Sequence, residues 1–296
     1  MDISKLGDNE LLSEIDRRFK EKQSSIEEME FLTKKLLELN EKSKQAQEVK
    51  SQFLSLVKNE FNNPISSLLS VADMLGHASD ISKVHTMGEL LKRDLLKIDF
   101  SLKNIFAASE IEAGETANDY NRINIEELHS EILEYFSLII ADKGLHVKLD
   151  IQCEKEFISD SHKIYLILLN LLSNACEFSY ANTTVTTTFT CNGSGYLIVV
   201  ENFGEGISAD HTKEIYNRFV HFETGHTRET AGLGLGLSVA RGMAEALDGT
   251  IDNSHVGEAT HFSVRIPYAN KDEIALSQAH GANEFIFDDN DGMMEF

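Results

Sequence analysis

The chain has 296 residues, 42% of them hydrophobic, which suits about two domains with a sizeable core. Forty-nine acidic residues against 27 basic ones give a formal net charge of -22, a surface that repels polyanions and argues against DNA, RNA and anionic membranes as partners. A nucleotide bound against this field needs a local set of backbone N–H groups, cations or a metal ion. Cys153, Cys176 and Cys191 have neither CxxC spacing nor paired histidines, so neither a zinc site nor a disulfide framework is expected, and a reducing cytoplasm fits best. The longest apolar runs, such as YLILLNLL at 165–172, fall short of the ~20 residues of a membrane span. The opening MDISKLGDNE does not read as a signal peptide, so the expectation is a soluble, cytoplasmic chain with no membrane span.

In chain order, the first element is helical. Between Gly7 and Gly76 there is no glycine, and the only proline is Pro64, so this region reads as one long helix or two in series. Ile15, Phe19, Ile26, Met29, Leu36 and Leu39 step by three, four and seven, while Asn40, Ser43 and Gln47 interrupt the seam. A coiled coil is expected over residues 1–45, the alternative being a single amphipathic helix lying on its own domain. GHASDIS at 76–82 supplies a turn, and helical periodicity resumes to about Ile111, giving a helical hairpin over 46–115.

After EAGETANDYNR the texture changes. LHVKLDI at 145–151, TTVTTTFT at 183–190, GYLIVVEN at 195–202 and THFSVRIP at 260–267 read as strands, with helices near 125–142, 161–178, 208–216 and 234–247. Strands and helices around one sheet predict an α/β sandwich over 116–268. Residues 269–296 form an acidic tail, expected to be flexible unless Phe285, Ile286 and Phe287 dock as a short strand.

AGLGLGLSVARGMAEAL, residues 231–247, places Gly232, Gly234 and Gly236 just before a helix that opens at Leu237. Alternating glycines let backbone approach a phosphate, and the helix start offers free N–H groups. Upstream, ENFGEGI puts Gly204 and Gly206 after a strand end, and an apolar helix carries Asn170 and Asn174 at i, i+4 spacing. Two amides on one face can offer carbonyls to one metal ion; taken alone, they read more readily as capping or bridging neighbouring strands.

Together these stretches are more specific. LLNLLSNACEFS, ENFGEGI, IYNRFVHFE and GLGLGLS resemble the asparagine box, first glycine box, phenylalanine box and second glycine box of bacterial sensor histidine kinases. FLSLVKNEFNNPISSLL resembles the family's histidine box, and ASEIEAGE the end of its second dimerisation helix. The resemblance covers roughly 45–267. It implies a homodimer on a four-helix bundle, two helices from each chain, with an ATP-binding α/β sandwich of the GHKL (Bergerat) type on each hairpin. It also implies ATP or ADP with Mg at Asn170, Asn174, Glu177, Asn202, Gly204, Gly206, Gly232, Gly234, Gly236 and Leu237. Implied partners are a response regulator, an active histidine kinase, or both.

The sequence departs from that family at chemically decisive places. Aligned on Phe53, Leu54, Glu60 and Pro64, the phosphoacceptor position holds Asn59, whose amide nitrogen has no free lone pair to take a phosphoryl group. Glu60, which would polarise the histidine, is left without a substrate. His77 is about 27 Å further along at ~1.5 Å per residue, too far to substitute. Asn202 replaces the adenine-reading aspartate, and a charged acceptor bond contributes roughly 1.5–3 kcal/mol against about half that for a neutral one. Glu177 stands where a lysine or arginine is usual. Asn63 matches a position that orients water in regulator dephosphorylation, though Asn62 and Asn63 could instead manage backbone groups freed by Pro64. These readings lead to a catalytically impaired, pseudokinase-like histidine kinase, with a response-regulator phosphatase or an active kinase using an unrecognised acceptor as alternatives.

Overall fold

The computed structural model describes residues 8–76, 81–114, 117–207, 214–218 and 233–270; the side chains of several residues in the first two helices, Asn59 and Glu60 among them, lie outside the description. Also outside it are His77, most of the phenylalanine-box stretch, Gly232 and the tail from Lys271. The chain divides into two units, 1–58 and 59–296.

Helix α1 (Asp8–Gly76) is one continuous helix with Pro64 inside it. Proline removes a single backbone N–H, and the helix continues on both sides of it. In the first unit Phe19, Met29, Phe31, Leu32, Leu36, Leu37 and Leu39 are all more than half exposed. In the second unit Pro64, Leu68, Val71 and Leu75 make an i, i+4, i+7, i+11 stripe on the end of α1, with Pro64 and Val71 buried. Helix α2 (Ile81–Ala113) follows, and the middle of the anticipated turn, 77–80, falls outside the described residues.

The rest of the second unit is an α/β sandwich. Strand β1 (Tyr120–Arg122) leads to α3 (Ile125–Lys143) and β2 (His146–Gln152), then β3 (Ile158–Asp160), α4 (Ser161–Phe178), β4 (Thr184–Cys191) and β5 (Gly195–Phe203). A short 3-10 turn at Glu214–Tyr216 precedes α5 (Gly236–Ala246), β6 (Thr250–Val256) and β7 (Ala259–Pro267). The main sheet runs β2-β4-β5-β7-β6; β2 and β4 are parallel and the other pairs antiparallel. Strands β1 and β3 form a separate antiparallel pair.

Alternation sets the inner face: Val185, Thr187 and Phe189 on β4, Tyr196, Ile198, Val200 and Asn202 on β5, and Thr260, Phe262, Val264 and Ile266 on β7 are buried. Helix α4 packs against β5 between α3 and α5. Every residue from Lys163 to Leu172 is buried, as expected for a helix that is apolar all round. Side-chain caps define the helix starts, with Asn124 Oδ1 accepting from the Glu127 N–H at 3.2 Å and Asp160 Oδ1 from the Lys163 N–H at 3.0 Å. Helix α3 ends at Gly144, φ 62°, the left-handed conformation that glycine adopts without cost.

The four anticipated strands all form, and β1, β3 and β6 are additions. Strand β6, TIDNSHV, has a single buried residue, Ile251, so it lacks the alternation that marks a strand. The cysteine reading needs correction. Cys153 and Cys191 form a disulfide, with Cα atoms 5.2 Å apart. Parallel pairing sets Gln152 opposite Thr190, so the next position on each chain carries a cysteine to its partner. Cysteine usage therefore gives no support to a reducing compartment. Cys176 is free and buried in α4, and burial pushes its thiol up to about 12. Among the described residues no helix is long and apolar enough to cross a membrane.

Candidate nucleotide site

Helix α4 supplies the floor of the site and is fixed at its N-terminus. Asp160 and Lys163 form a buried ion pair at 2.8 Å; Lys163 Nζ also donates to the Ala117 carbonyl at 2.7 Å, and Asp160 Oδ2 accepts from the Asp119 N–H at 3.0 Å. Burial alone would raise the Asp160 carboxyl, but the hydrogen bonds from Lys163 and Asp119 outweigh it and hold the group below the usual carboxylate range.

Two turns along, Asn170 is 1% exposed. Its Nδ2 donates to the Leu166 carbonyl at 2.8 Å, while its Oδ1 is buried with no hydrogen-bond partner. One turn further, Asn174 Nδ2 is likewise buried and unpaired. These two atoms, one an acceptor and one a donor, lie on adjacent turns of α4 and are free to meet a ligand. Asn170 lies against the start of α5, where a Cβ on Gly236 would fall 2.7 Å from Oδ1. No side chain caps α5; its first N–H groups follow Gly234, which has φ +62°. Leu237 is half-buried in this first turn.

The C-terminal end of α4 is held by Lys143, whose Nζ donates to the carbonyls of Cys176 (3.1 Å), Glu177 and Ser179 (3.1 Å). Burial lowers the Lys143 pKa, and the field of the Glu177 carboxylate opposes that shift. Glu177 is thus half-buried within the field of the lysine that caps its own helix. Phe178 is exposed, and Ser179 bridges to Gly204.

Asn202 and Thr260 close the other end. They face each other in register on β5 and β7 and are 4% and 5% exposed. Thr260 Oγ1 lies 2.9 Å from His255 Nδ1, and the His255 ring covers Gly206 so closely that a Cβ there would fall 2.2 Å from Nε2. Thr260, His255, Phe178 and Lys143 were not among the sequence candidates. A signal for Thr260 exists: it heads the inner-face run Phe262, Val264, Ile266, as Asn202 ends Tyr196, Ile198, Val200. A polar residue at the end of an apolar alternation marks where a sheet's core becomes a site.

Asn170, Asn174, Asn202, Gly204, Gly206, Gly234, Gly236 and Leu237 all belong to this one sandwich, whereas Asn59, Glu60 and Asn63 lie on α1. Asn63 is exposed. Among the described residues no group of three or more His, Cys, Asp or Glu side chains could hold a metal, so amide carbonyls are the donors on offer. Such a set suits magnesium held jointly with phosphate oxygens. The orphaned amides and the uncapped helix start fit a nucleotide with its metal.

Residues 159–270 match the model of the histidine kinase-, DNA gyrase B- and HSP90-like ATPase family. The chain is 29% identical over 280 residues to hybrid signal transduction histidine kinase D of Dictyostelium discoideum, covering 90% of this chain and 18% of that protein. It is 23% identical over 227 residues to sensor histidine kinase RppB of Synechocystis sp., covering 75% of this chain and 50% of that one. The chain thus spans half or less of the length of these relatives. Among solved structures, the Acinetobacter baumannii histidine kinase AdeS superposes with a TM-score of 0.50 at 19% identity, over 71% of this chain and 98% of that one. Full-length ShkA in complex with AMPPNP gives 0.53 at 21% identity, over 74% and 46%. Residues 159–270 are accordingly a domain of the histidine kinase-, DNA gyrase B- and HSP90-like ATPase family, in a chain related to the sensor histidine kinases.

Proposed function

We propose that this chain is a pseudokinase of two-component signalling, one that keeps a nucleotide-binding ATPase domain, lacks a phosphoacceptor, and regulates a response regulator or a partner histidine kinase by contact. The observation that carries this reading is the pair of unpaired amide atoms, Asn170 Oδ1 and Asn174 Nδ2, in a chain that holds Asn59 where the resemblance puts the acceptor. Asn170 and Asn174 would hold the metal, and the N–H groups at Gly234–Gly236 would hold phosphate. Bound magnesium would offset the polyphosphate charge against Glu177 and a chain of net charge -22. The exposed apolar residues of α1, from Phe19 to Leu39, favour association of that helix with a second helix, in a homodimer or with another kinase. ShkA was solved with AMPPNP and ThkA with the response regulator TrrA, precedents for both ligands in proteins of this fold. The test is incubation of the purified chain with γ-labelled ATP and magnesium; acid-labile label on any of its histidines would sink the proposal.

A second reading is favoured by Asn63. It is exposed, and among the described residues neither Asn62 nor Asn63 hydrogen-bonds to the backbone around Pro64, the role that would explain them structurally. An exposed amide can hold a water in line with a phosphoaspartate. On this reading the protein shortens the lifetime of a phosphorylated response regulator. Asn63→Ala should abolish that effect at unchanged thermal stability, and an unchanged lifetime with the native protein would dismiss it.

A further inference from the structure

The polar groups at the Asn202 end of the site share a property that bears on which nucleotide they accept. Asn202 is 4% exposed, yet its amide has no hydrogen-bond partner among the described residues. Among those residues no hydrogen bond fixes which way the amide faces. Thr260, opposite it, offers a hydroxyl that can donate or accept, and the His255 imidazole bonded to that hydroxyl can do either by choice of tautomer. All three groups at this end are uncharged or reversible. Glu201, the nearest carboxylate on β5, belongs to the outer face, where it pairs with His261 at 2.7 Å.

The other end offers an unpaired acceptor at Asn170 Oδ1, an unpaired donor at Asn174 Nδ2 and the uncapped start of α5. A nucleotide with its phosphates there presents its base to the neutral end, beside the exposed ring of Phe178. A carboxylate at position 202 would accept only, so it would require an exocyclic amine and repel a carbonyl. An amide carries an acceptor and a donor side by side. In one orientation it matches the amine and ring nitrogen of a 6-aminopurine; turned over, it matches the carbonyl and ring N–H of a 6-oxopurine.

We infer that Asn202, with Thr260 and His255, makes the base pocket purine-permissive, so that guanosine and inosine nucleotides bind about as well as adenosine nucleotides. The inference rests on the nucleotide-binding reading above and adds the ligand class. The test is equilibrium binding of Mg-ATP, Mg-GTP and Mg-ITP to the native chain, repeated with Asn202→Asp. Native dissociation constants for the three within about tenfold, and a preference for ATP that rises at least tenfold in the variant, are the expected results. Native selectivity for ATP greater than tenfold overturns the inference and leaves nucleotide binding standing. Permissive binding that Asn202→Asp leaves unchanged, with the variant shown folded by its thermal transition, removes Asn202 from the role. If no nucleotide binds the native chain at millimolar concentration, both this inference and the nucleotide-binding reading fall.

Discussion

The ATPase-like sandwich and the Asn59–Pro64 stretch of α1 have kept different things. In the sandwich two buried amide atoms, Asn170 Oδ1 and Asn174 Nδ2, stay unpaired, which costs stability unless a ligand completes them. On α1 the helix, Pro64 and Glu60 persist, and position 59, where the proposal places the acceptor, is an asparagine. Binding chemistry is spread over several groups and survives the loss of any one of them. Group transfer hangs on a single lone pair and does not.

The sharpest way to break that contrast is to restore the nucleophile. Asn59→His should turn an unlabelled protein into one that takes acid-labile phosphate from γ-labelled ATP, an all-or-none change; failure to label would locate a second lesion in the pocket itself. Next in size is the anchor of α4. Asp160→Ala leaves Lys163 buried without its carboxylate, and chemical denaturation should show a loss of about 3–5 kcal/mol. Because the Asp160 carboxyl is held below its usual value, its stabilisation is full above about pH 4 and is lost as pH falls through the lowered value.

The disulfide comes third. Reduction, or Cys191→Ser, opens a link between residues 38 apart and should lower unfolding free energy by about 2–4 kcal/mol. It lies at the end of β4 paired with Tyr196, away from Asn202 at the far end of β5, so nucleotide affinity should not follow it. Asn174→Ala should weaken Mg-nucleotide binding by roughly tenfold, about 1.4 kcal/mol, and, by removing an orphaned donor, leave the ligand-free protein no less stable. Such a split would show that Asn174 serves a ligand; a stability loss with unchanged affinity would make it a packing residue.

The smallest effect concerns His129, buried with Nε2 3.2 Å from Thr187 Oγ1. Burial lowers its pKa, so the folded state binds fewer protons than the unfolded chain. Stability contributed by the neutral ring is present above about pH 6.5 and declines as pH falls below it, by at most ~1.4 kcal/mol per pH unit. His129→Gln should flatten that part of the stability profile.

Much was legible because it is written locally. The four alternating runs became strands, and α3 and α4 begin at side-chain caps, Asn124 and Asp160, that stand one residue before the periodicity they open. Asn170 and Asn174 stood out as two amides in an apolar helix, and the structure strands both. Glu177 was read only as a reversed charge; that it lies in the field of the capping Lys143 needed α3 and α4 in three dimensions.

The sequence by itself thus determined most of the helices, most of the strands and the motif order, since periodicity, caps and residue chemistry act between near neighbours. Tertiary structure alone decided three things. It paired β2 with β4 in parallel, which brought Cys153 to Cys191. It recruited the polar stretch at Thr250–Val256 as an edge strand, held by its pairing with β7 in place of burial. It set Thr260 opposite Asn202 with His255 beside them. Each depends on backbone hydrogen bonds between distant segments, whose register is fixed by what the whole sheet buries and leaves little trace in the spacing of residues along one strand.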